Sequence, residues 1–447
     1  MRPQITCLCL QPVLSCRVIA PEAKNDNMLA AQELIGEAAQ PQRLGELLPR
    51  WLREVPLYRR AASRRSGTGP AASLEQLRCL PLITKQDIRN GFPHNFLRAG
   101  MELDTLLDQD LVELEHTSGT SEERTPLLLG RGWWAEQEER ALRLNRFVAG
   151  VLDEFPEARR VTINSPVCSG DICYSGVPSR ADRIVGNALF VSLSRYPFLW
   201  SEADLARMAA EAADWQPQFL DVDPVYGVMF ARYCERRGIR LPSLRFVLCS
   251  YEFVSVVHRR ILERVFGVPV FNLYGSTETG HLLMETRNGE MRPSFETALL
   301  EVLNTDAQGI SELAVTTLTN DFMPLIRYRI GDLVQRHERP YYTSYLVHGR
   351  AADAFLTAEG RRVTTWQIDQ CLAELRGIAH YQLCERAGGE WLLRFVPDAA
   401  APTLAETEEL RRRLAWLLGT SGGLVVHQTD LLVPESSGKF RLGYPMK

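Results

Sequence analysis

Apolar positions along the chain follow two periods, and the middle of the sequence shows both. The run "LRFVLCS" (244–250) is short, apolar and rich in strand formers. "SVVHRRILERVFG" (255–267) then places apolar residues at 256, 257, 261, 262, 265 and 266, a helical spacing that Gly267 ends. "VPVFNLY" (268–274) reads as a second buried strand. Strand, helix and strand over about thirty residues predict a βαβ unit whose strands are parallel neighbours. Ligands of such sheets sit beyond the carboxyl ends of the strands. "SYE" (250–252) and "YGSTE" (274–278) fall at those ends, so this polar cluster is expected to line a ligand crevice.

Other segments fit the same plan. "SEADLARMAAEAADW" (201–215) is an amphipathic helix with Ser201 as its N-cap, and "RVTINS" (160–165) is a strand that leads into the loop "PVCSGDICYSG". From 294 to 347 the pattern changes to short strands such as "ELAVTTL" and "YTSYLVH", which predicts a small β subdomain. After a break near Gly349 come a helix at 364–375, strands near 379–385 and 391–396, and a helix at 404–418, with "PDAAAPT" as the most linker-like stretch. The expected fold is α/β. A poorly ordered extension (1–27) precedes a large domain with doubly wound sheets (28–348), and a small mobile α+β domain (349–447) follows.

At 447 residues the chain is long enough for two domains. Its 45% hydrophobic and 24% charged residues are ordinary for a globular protein, and a net charge of −4 exerts no general pull on nucleic acid or anionic lipid. No apolar run approaches the roughly 18 residues of a membrane span. The first twenty residues resemble a signal peptide slightly, but Pro12 and Arg17 interrupt the apolar stretch and no small-residue cleavage site follows. None of the ten cysteines forms a CxxC pair, which points to reduced thiols and a cytoplasmic protein.

Three further motifs carry chemistry. "EHTSGTSEERTP" (115–126) sets Thr117, Ser118, Thr120 and Ser121 around Gly119, a loop type that turns N–H groups and hydroxyls toward phosphate. "PLIRYRIGDLV" (324–334) offers Asp332 after a glycine, either an ordinary turn residue or an acceptor for a pair of sugar hydroxyls. "VPESSGKFRLGY" (433–444) presents Lys439 on a Ser-Ser-Gly turn, either a solvated tail lysine or a cation for a phosphoryl group.

The order of these elements (hydroxyl-rich loop, YGSTE, RIGD, HGR, terminal SGK) resembles the adenylate-forming superfamily of acyl-CoA ligases, luciferases and peptide-synthetase adenylation domains. "LPLITKQDIR" (80–89), "PLIRYRIGD" and "FVLCSYEFVSVVHRRILERVFG" look most like its phenylacetate–CoA ligase branch, from about residue 45 to the end.

That resemblance implies activation of a carboxylic acid by ATP and Mg2+ to an acyl-adenylate, with release of pyrophosphate. Transfer to a thiol follows, most often that of coenzyme A; a carrier-protein phosphopantetheine or an amine is the alternative acceptor. It implies Glu278 as the magnesium-binding carboxylate and Thr277 beside the α-phosphate. Tyr274, Gly275, Ser276 and the stretch Ser250, Tyr251, Glu252 would border the nucleotide. Asp332 would hold the ribose hydroxyls with Arg350 beside it, and Lys439 would bridge carboxylate and α-phosphate. The C-terminal domain would rotate between half-reactions. A homodimer is compatible with the resemblance, with no nucleic acid or membrane partner.

Two departures stand out. The second glycine of the family's phosphate loop is missing, and "SEER" takes its place, with Pro126 shifted by two. At ~6 Å and an effective dielectric of ~20, each like charge repels by roughly 3 kcal/mol, so Glu122 and Glu123 bear on ATP affinity. At the hinge, "GRAAD" puts Ala352 where the family has an acidic or lysine residue, with Asp353 one place later. The acyl pocket is expected from the 164–176 loop, the segment from Phe219 to Tyr226, and His281, with His116 as a further contact. Patches such as "SRYPFLW" suit an aryl or arylacetic acid, while Trp133 and Trp134 read as helix-packing residues. The rival reading from another class is a non-catalytic relative that binds nucleotide without turning it over.

Overall fold

The computed structural model describes residues 26–62, 70–117, 124–166, 178–420 and 423–446. The βαβ unit is present: strands Phe246–Cys249 and Val270–Ser276 pair in parallel, joined by the helix Val256–Phe266. Its ends follow from local chemistry. The Ser255 side chain accepts from the Val257 N–H, and Gly267 closes the helix at φ +67°, a conformation that suits glycine. The Glu202–Trp215 helix begins as expected, with a Ser201–Asp204 capping box.

Arg160–Ile163, Phe219–Val222, Phe246–Cys249 and Val270–Ser276 form the parallel run, and their side chains divide by the period of two. Phe219, Phe246, Leu248, Phe271 and Leu273 face the helices Trp133–Leu142 and Arg146–Glu154. Leu220, Val222, Val247, Cys249 and Val270 face the helices Glu202–Trp215, Pro224–Arg237 and Val256–Phe266. Both faces are therefore covered and the run is mostly apolar, as a buried parallel sheet requires, with Thr162 and Asp221 as buried polar exceptions.

The β-rich stretch after residue 294 is not a separate sheet. Gly280–Glu285 turns back antiparallel on Val270–Ser276, and the ladder continues through Met291–Pro293, Tyr342–Arg350, Tyr328–Arg339, Ser311–Thr317 and Ala298–Leu303 to complete twelve strands. Beyond Arg350 a four-stranded sheet, with Ile378–Arg386 and Glu390–Pro397 at its centre, packs on the helix Leu404–Leu418. The helix expected over 364–375 is shorter, Thr365–Gln370. After it the amides of Cys371, Leu372 and Ala373 bond three residues back, the tighter winding common at helix ends.

This C-terminal part is seated on the Val256–Phe266 helix. Asp369 accepts from the Ser255 hydroxyl, from the Val256 N–H at 2.9 Å and from the Tyr381 hydroxyl at 2.8 Å. Arg260 donates to the carbonyls of Leu375 and Ala373. Among the described residues no helix is long and apolar enough to cross a membrane, and Cys234 and Cys249 are buried free thiols.

Candidate active site

Glu278 follows the Val270–Ser276 strand and is buried. Its Oε1 accepts from the Tyr328 hydroxyl at 2.8 Å and lies 3.0 Å from the Lys85 ammonium. Burial pushes this carboxyl up, but the Lys85 charge and the Tyr328 hydroxyl outweigh it and hold the group at about 2. Glu278 is thus a buried, ionised carboxylate, and both contacts fall on one oxygen. Lys85 arrives on a short helix, Lys85–Gly91, started by a Thr84–Asp87 capping box. The same helix brings the Arg89 Nε to within 3.0 Å of the Thr125 Oγ1. It therefore links the candidate metal carboxylate to the base of the hydroxyl-rich loop.

Asp332 forms the second centre. Its Oδ2 accepts from the Tyr274 hydroxyl at 2.6 Å, and its Oδ1 is 3.1 Å from the Arg350 Nε. The register that pairs Asp332 with Arg350 across neighbouring strands makes this contact, and Arg350 also donates to the Ile330 carbonyl. Gly275 is needed where it stands, because a Cβ there would come within 2.2 Å of the Gly280 carbonyl oxygen.

The third centre carries Lys439. The 436–438 turn docks on the parallel sheet: the Ser165 hydroxyl donates to the Ser437 carbonyl at 3.2 Å, and the Tyr226 hydroxyl to the Gly438 carbonyl at 3.0 Å. The Phe440 N–H donates to Glu252 at 2.6 Å. Lys439 is half-buried, and its charge acts on Asp223 and Glu252. Burial pushes the Asp223 carboxyl up to about 7, and burial with the nearby Asp223 raises Glu252, while the lysine pulls both down. Tyr251 of the same segment holds φ +73°, a conformation that costs a non-glycine residue about 1–3 kcal/mol and clusters at functional sites.

The remaining expected residues are spread around these centres. Ser118, Gly119, Thr120, Ser121, Glu122 and Glu123 lie outside the described residues, as does most of the 164–176 loop. Thr117 is buried and accepts from the Thr125 N–H, whereas His116 is exposed on the same hairpin. Ser276 pairs its hydroxyl with that of Thr279 at 3.0 Å, and Thr277 is half-buried between them and Glu278. Tyr226 lies beneath the Lys439 turn, with its hydroxyl oxygen also 2.8 Å from the Arg195 carbonyl, so its single hydrogen is shared between the two carbonyls. His281 is buried against Trp134, ring centroids 4.8 Å apart. Ala352 and Asp353 form a helical turn in which Asp353 accepts from the Arg441 Nε at 2.8 Å.

Lys85, Tyr328 and Arg441 had no role assigned from sequence. Lys85 lay inside the "LPLITKQDIR" stretch, and Arg441 lies two residues beyond Lys439. Tyr328 reads as an ordinary strand residue.

No family model matches the chain. The fold and the sequence relatives place it in the adenylate-forming superfamily of enzymes. Within that class it is similar to phenylacetate–coenzyme A ligases. It shares 26% identity with that of Escherichia coli (strain K12), over 90% of this chain and 93% of the relative. With the Thermus thermophilus enzyme it shares 24%, over 79% and 78%. A solved structure of 2-hydroxyisobutyryl-CoA ligase, in the postadenylation state with R3-HIB-AMP, shares the fold at a TM-score of 0.64 and 18% identity, covering 89% of this chain and 88% of that one.

Proposed function

We infer that the protein is an AMP-forming acid–thiol ligase. It activates a carboxylic acid with ATP and passes the acyl group to a thiol, that of coenzyme A in the reading favoured by its relatives. The observation that carries this is Glu278, a carboxylate held ionised inside the protein, two residues from a half-buried backbone at the carboxyl end of a parallel strand. Burying such a charge is costly unless its partners or a cation repay it.

In this reading Asp332 takes the ribose hydroxyls, its orientation set by Tyr274 and Arg350. The backbone of Ser250–Glu252 and of Tyr274–Gly275 borders the base. The donor set at Glu278 is hard oxygen and fits magnesium, which when bound supplies neutralisation of phosphate charge. Lys439 orients the attacking carboxylate against the α-phosphorus and stabilises the charge that builds there. One carboxylate oxygen bonds to phosphorus as the bond to pyrophosphate breaks. In the second half-reaction the thiolate sulfur attacks the acyl carbon and AMP leaves. The part beyond Arg350 moves between the two, carrying Lys439 away.

The test is acid-dependent exchange of pyrophosphate into ATP over aryl, arylacetic, short and long aliphatic acids, with Lys439→Ala alongside. Exchange with one acid class that the variant loses supports the reading. ATP binding without exchange for any acid overturns it in favour of a non-catalytic nucleotide binder.

A further inference from the structure

The Ser250–Glu252 segment leaves the end of the Phe246–Cys249 strand as a three-residue turn. The Ser250 N–H donates to the Val222 carbonyl at 3.1 Å, and the Glu252 N–H folds back onto the Ser250 carbonyl at 2.8 Å. Tyr251 between them has φ +73°, which belongs to the rare and strained form of such a turn. A backbone of this kind persists only where its surroundings hold it.

Asp221 supplies that hold. It is buried on the Phe219–Val222 strand, on the same face as Phe219. Its Oδ1 accepts from the Ser250 hydroxyl at 2.8 Å and its Oδ2 from the Tyr251 hydroxyl at 2.9 Å. A carboxyl inside an apolar strand is costly unless it is bonded, and here both oxygens fix the first two residues of the strained turn.

The same turn sends Glu252 to the opposite face of the sheet. Its Oε1 accepts from the Phe440 N–H at 2.6 Å, and the Phe440 ring packs in the cluster that holds Leu220, Val222 and Cys249. Phe440 directly follows Lys439. On the other side of the lysine, Arg195 donates to the Ser436 carbonyl at 2.7 Å and the Ser165 hydroxyl to that of Ser437 at 3.2 Å. The Tyr226 hydroxyl oxygen lies 3.0 Å from the Gly438 carbonyl. Three side chains thus hold carbonyls before Lys439, and Glu252 takes the N–H after it, so the lysine is fixed from both sides. Resting on the ligase reading above, we propose that Glu252 is a positioning residue for adenylation: aimed by the strained turn that Asp221 holds, it seats Lys439 by binding the Phe440 N–H.

The experiment follows the full chain in two ways. Amide hydrogen–deuterium exchange over residues 434–446 reports the seat of the turn. Pyrophosphate exchange and thioester formation from supplied acyl-adenylate report the two half-reactions separately. In Glu252→Leu the 434–446 stretch should take up deuterium about 10-fold faster or more, with the Pro224–Arg237 helix unaltered as the control for the fold. Adenylation should fall about 10-fold further than thioester formation. Glu252→Gln, which keeps an acceptor oxygen, should recover part of both losses. Tyr251→Phe removes one of the bonds to Asp221 and should move both readouts the same way. Because the two residues act in series, Tyr251→Phe combined with Glu252→Leu should be little worse than Glu252→Leu alone. Unchanged protection in Glu252→Leu, equal loss of both half-reactions, or no recovery in Glu252→Gln overturns this inference and leaves the ligase reading intact. Protection lost as expected, in a protein whose wild type exchanges pyrophosphate with no acid, overturns the ligase reading while Glu252 still anchors the turn.

Discussion

The ammonium of Lys85 lies 3.0 Å from Oε1 of Glu278, and this contact reaches from a short N-terminal helix to the end of a central parallel strand. The Glu278 carboxyl is held at about 2, below the ordinary 4.5. A group lowered in the folded state contributes stability above its unfolded value and loses it as pH falls through the folded value. Here the window runs from about 4.5 down to about 2. The shift corresponds to roughly 3 kcal/mol at neutral pH. Lys85→Met should remove much of this, moving the acid-unfolding midpoint upward and lowering pyrophosphate exchange by about 10-fold or more. Circular dichroism across that window checks the first outcome; an unchanged midpoint would mean that Tyr328 and the backbone suffice.

Arg441 joins the Ala351–Asp353 turn to the turn that carries Lys439. It bonds to Asp353 at 2.8 Å, in the first turn beyond Arg350, and lies 3.3 Å from Glu435. Arg441→Ala and Asp353→Ala should each disturb the balance between half-reactions. Because the two act as one contact, the double variant should be little worse than either single one. Single-turnover rates for adenylation and for thioester formation from synthetic acyl-adenylate measure this. Additive losses would show that the pair is not the coupling element.

How much of this was legible depends on the range of the contacts. The βαβ unit, the Ser201 cap and the Gly267 stop are local, so spacing and end residues sufficed to predict them. The joining of the β-rich stretch to the parallel strands was not legible, because a strand's own pattern does not name its neighbour. The same limit hid Lys85, Tyr328 and Arg441, whose partners lie far along the chain or on another element. Asp221 did leave a trace, a carboxylate in the otherwise apolar "FLDV" strand.

The buried pair His258 and His380 joins the Val256–Phe266 helix to the C-terminal four-stranded sheet. Their Nε2 and Nδ1 atoms are 3.0 Å apart, and Phe198 and Phe440 pack against the His380 ring. Burial pushes His258 down to about 3 and His380 well below its usual 6.5. A base whose folded value is lowered takes up protons first in the unfolded state, so stability is full above about 6.5 and falls as the pH drops toward about 3. His380→Phe should flatten this part of the pH–stability curve. Denaturant titrations at pH values spanning the window test it, and an unchanged slope would assign the acid sensitivity to other groups.

Gly438 gives the sharpest separation of the two half-reactions. Its φ of +84° disfavours any other residue, and a Cβ there would fall 2.0 Å from the Ser165 hydroxyl oxygen and 3.2 Å from that of Tyr226. Backbone and neighbours both resist, so Gly438→Ala cannot dock the turn as it stands. Lys439 keeps its side chain but loses its seat. Adenylation should therefore fall by about 100-fold or more, comparable to loss of a stabilising cation. Thioester formation from supplied acyl-adenylate, which in this mechanism needs Lys439 withdrawn, should be retained. Ser165→Gly in the same chain removes the closest clash and should restore part of the adenylation rate. Equal loss of both half-reactions, without that rescue, would show that the docked turn serves stability rather than the first chemical step.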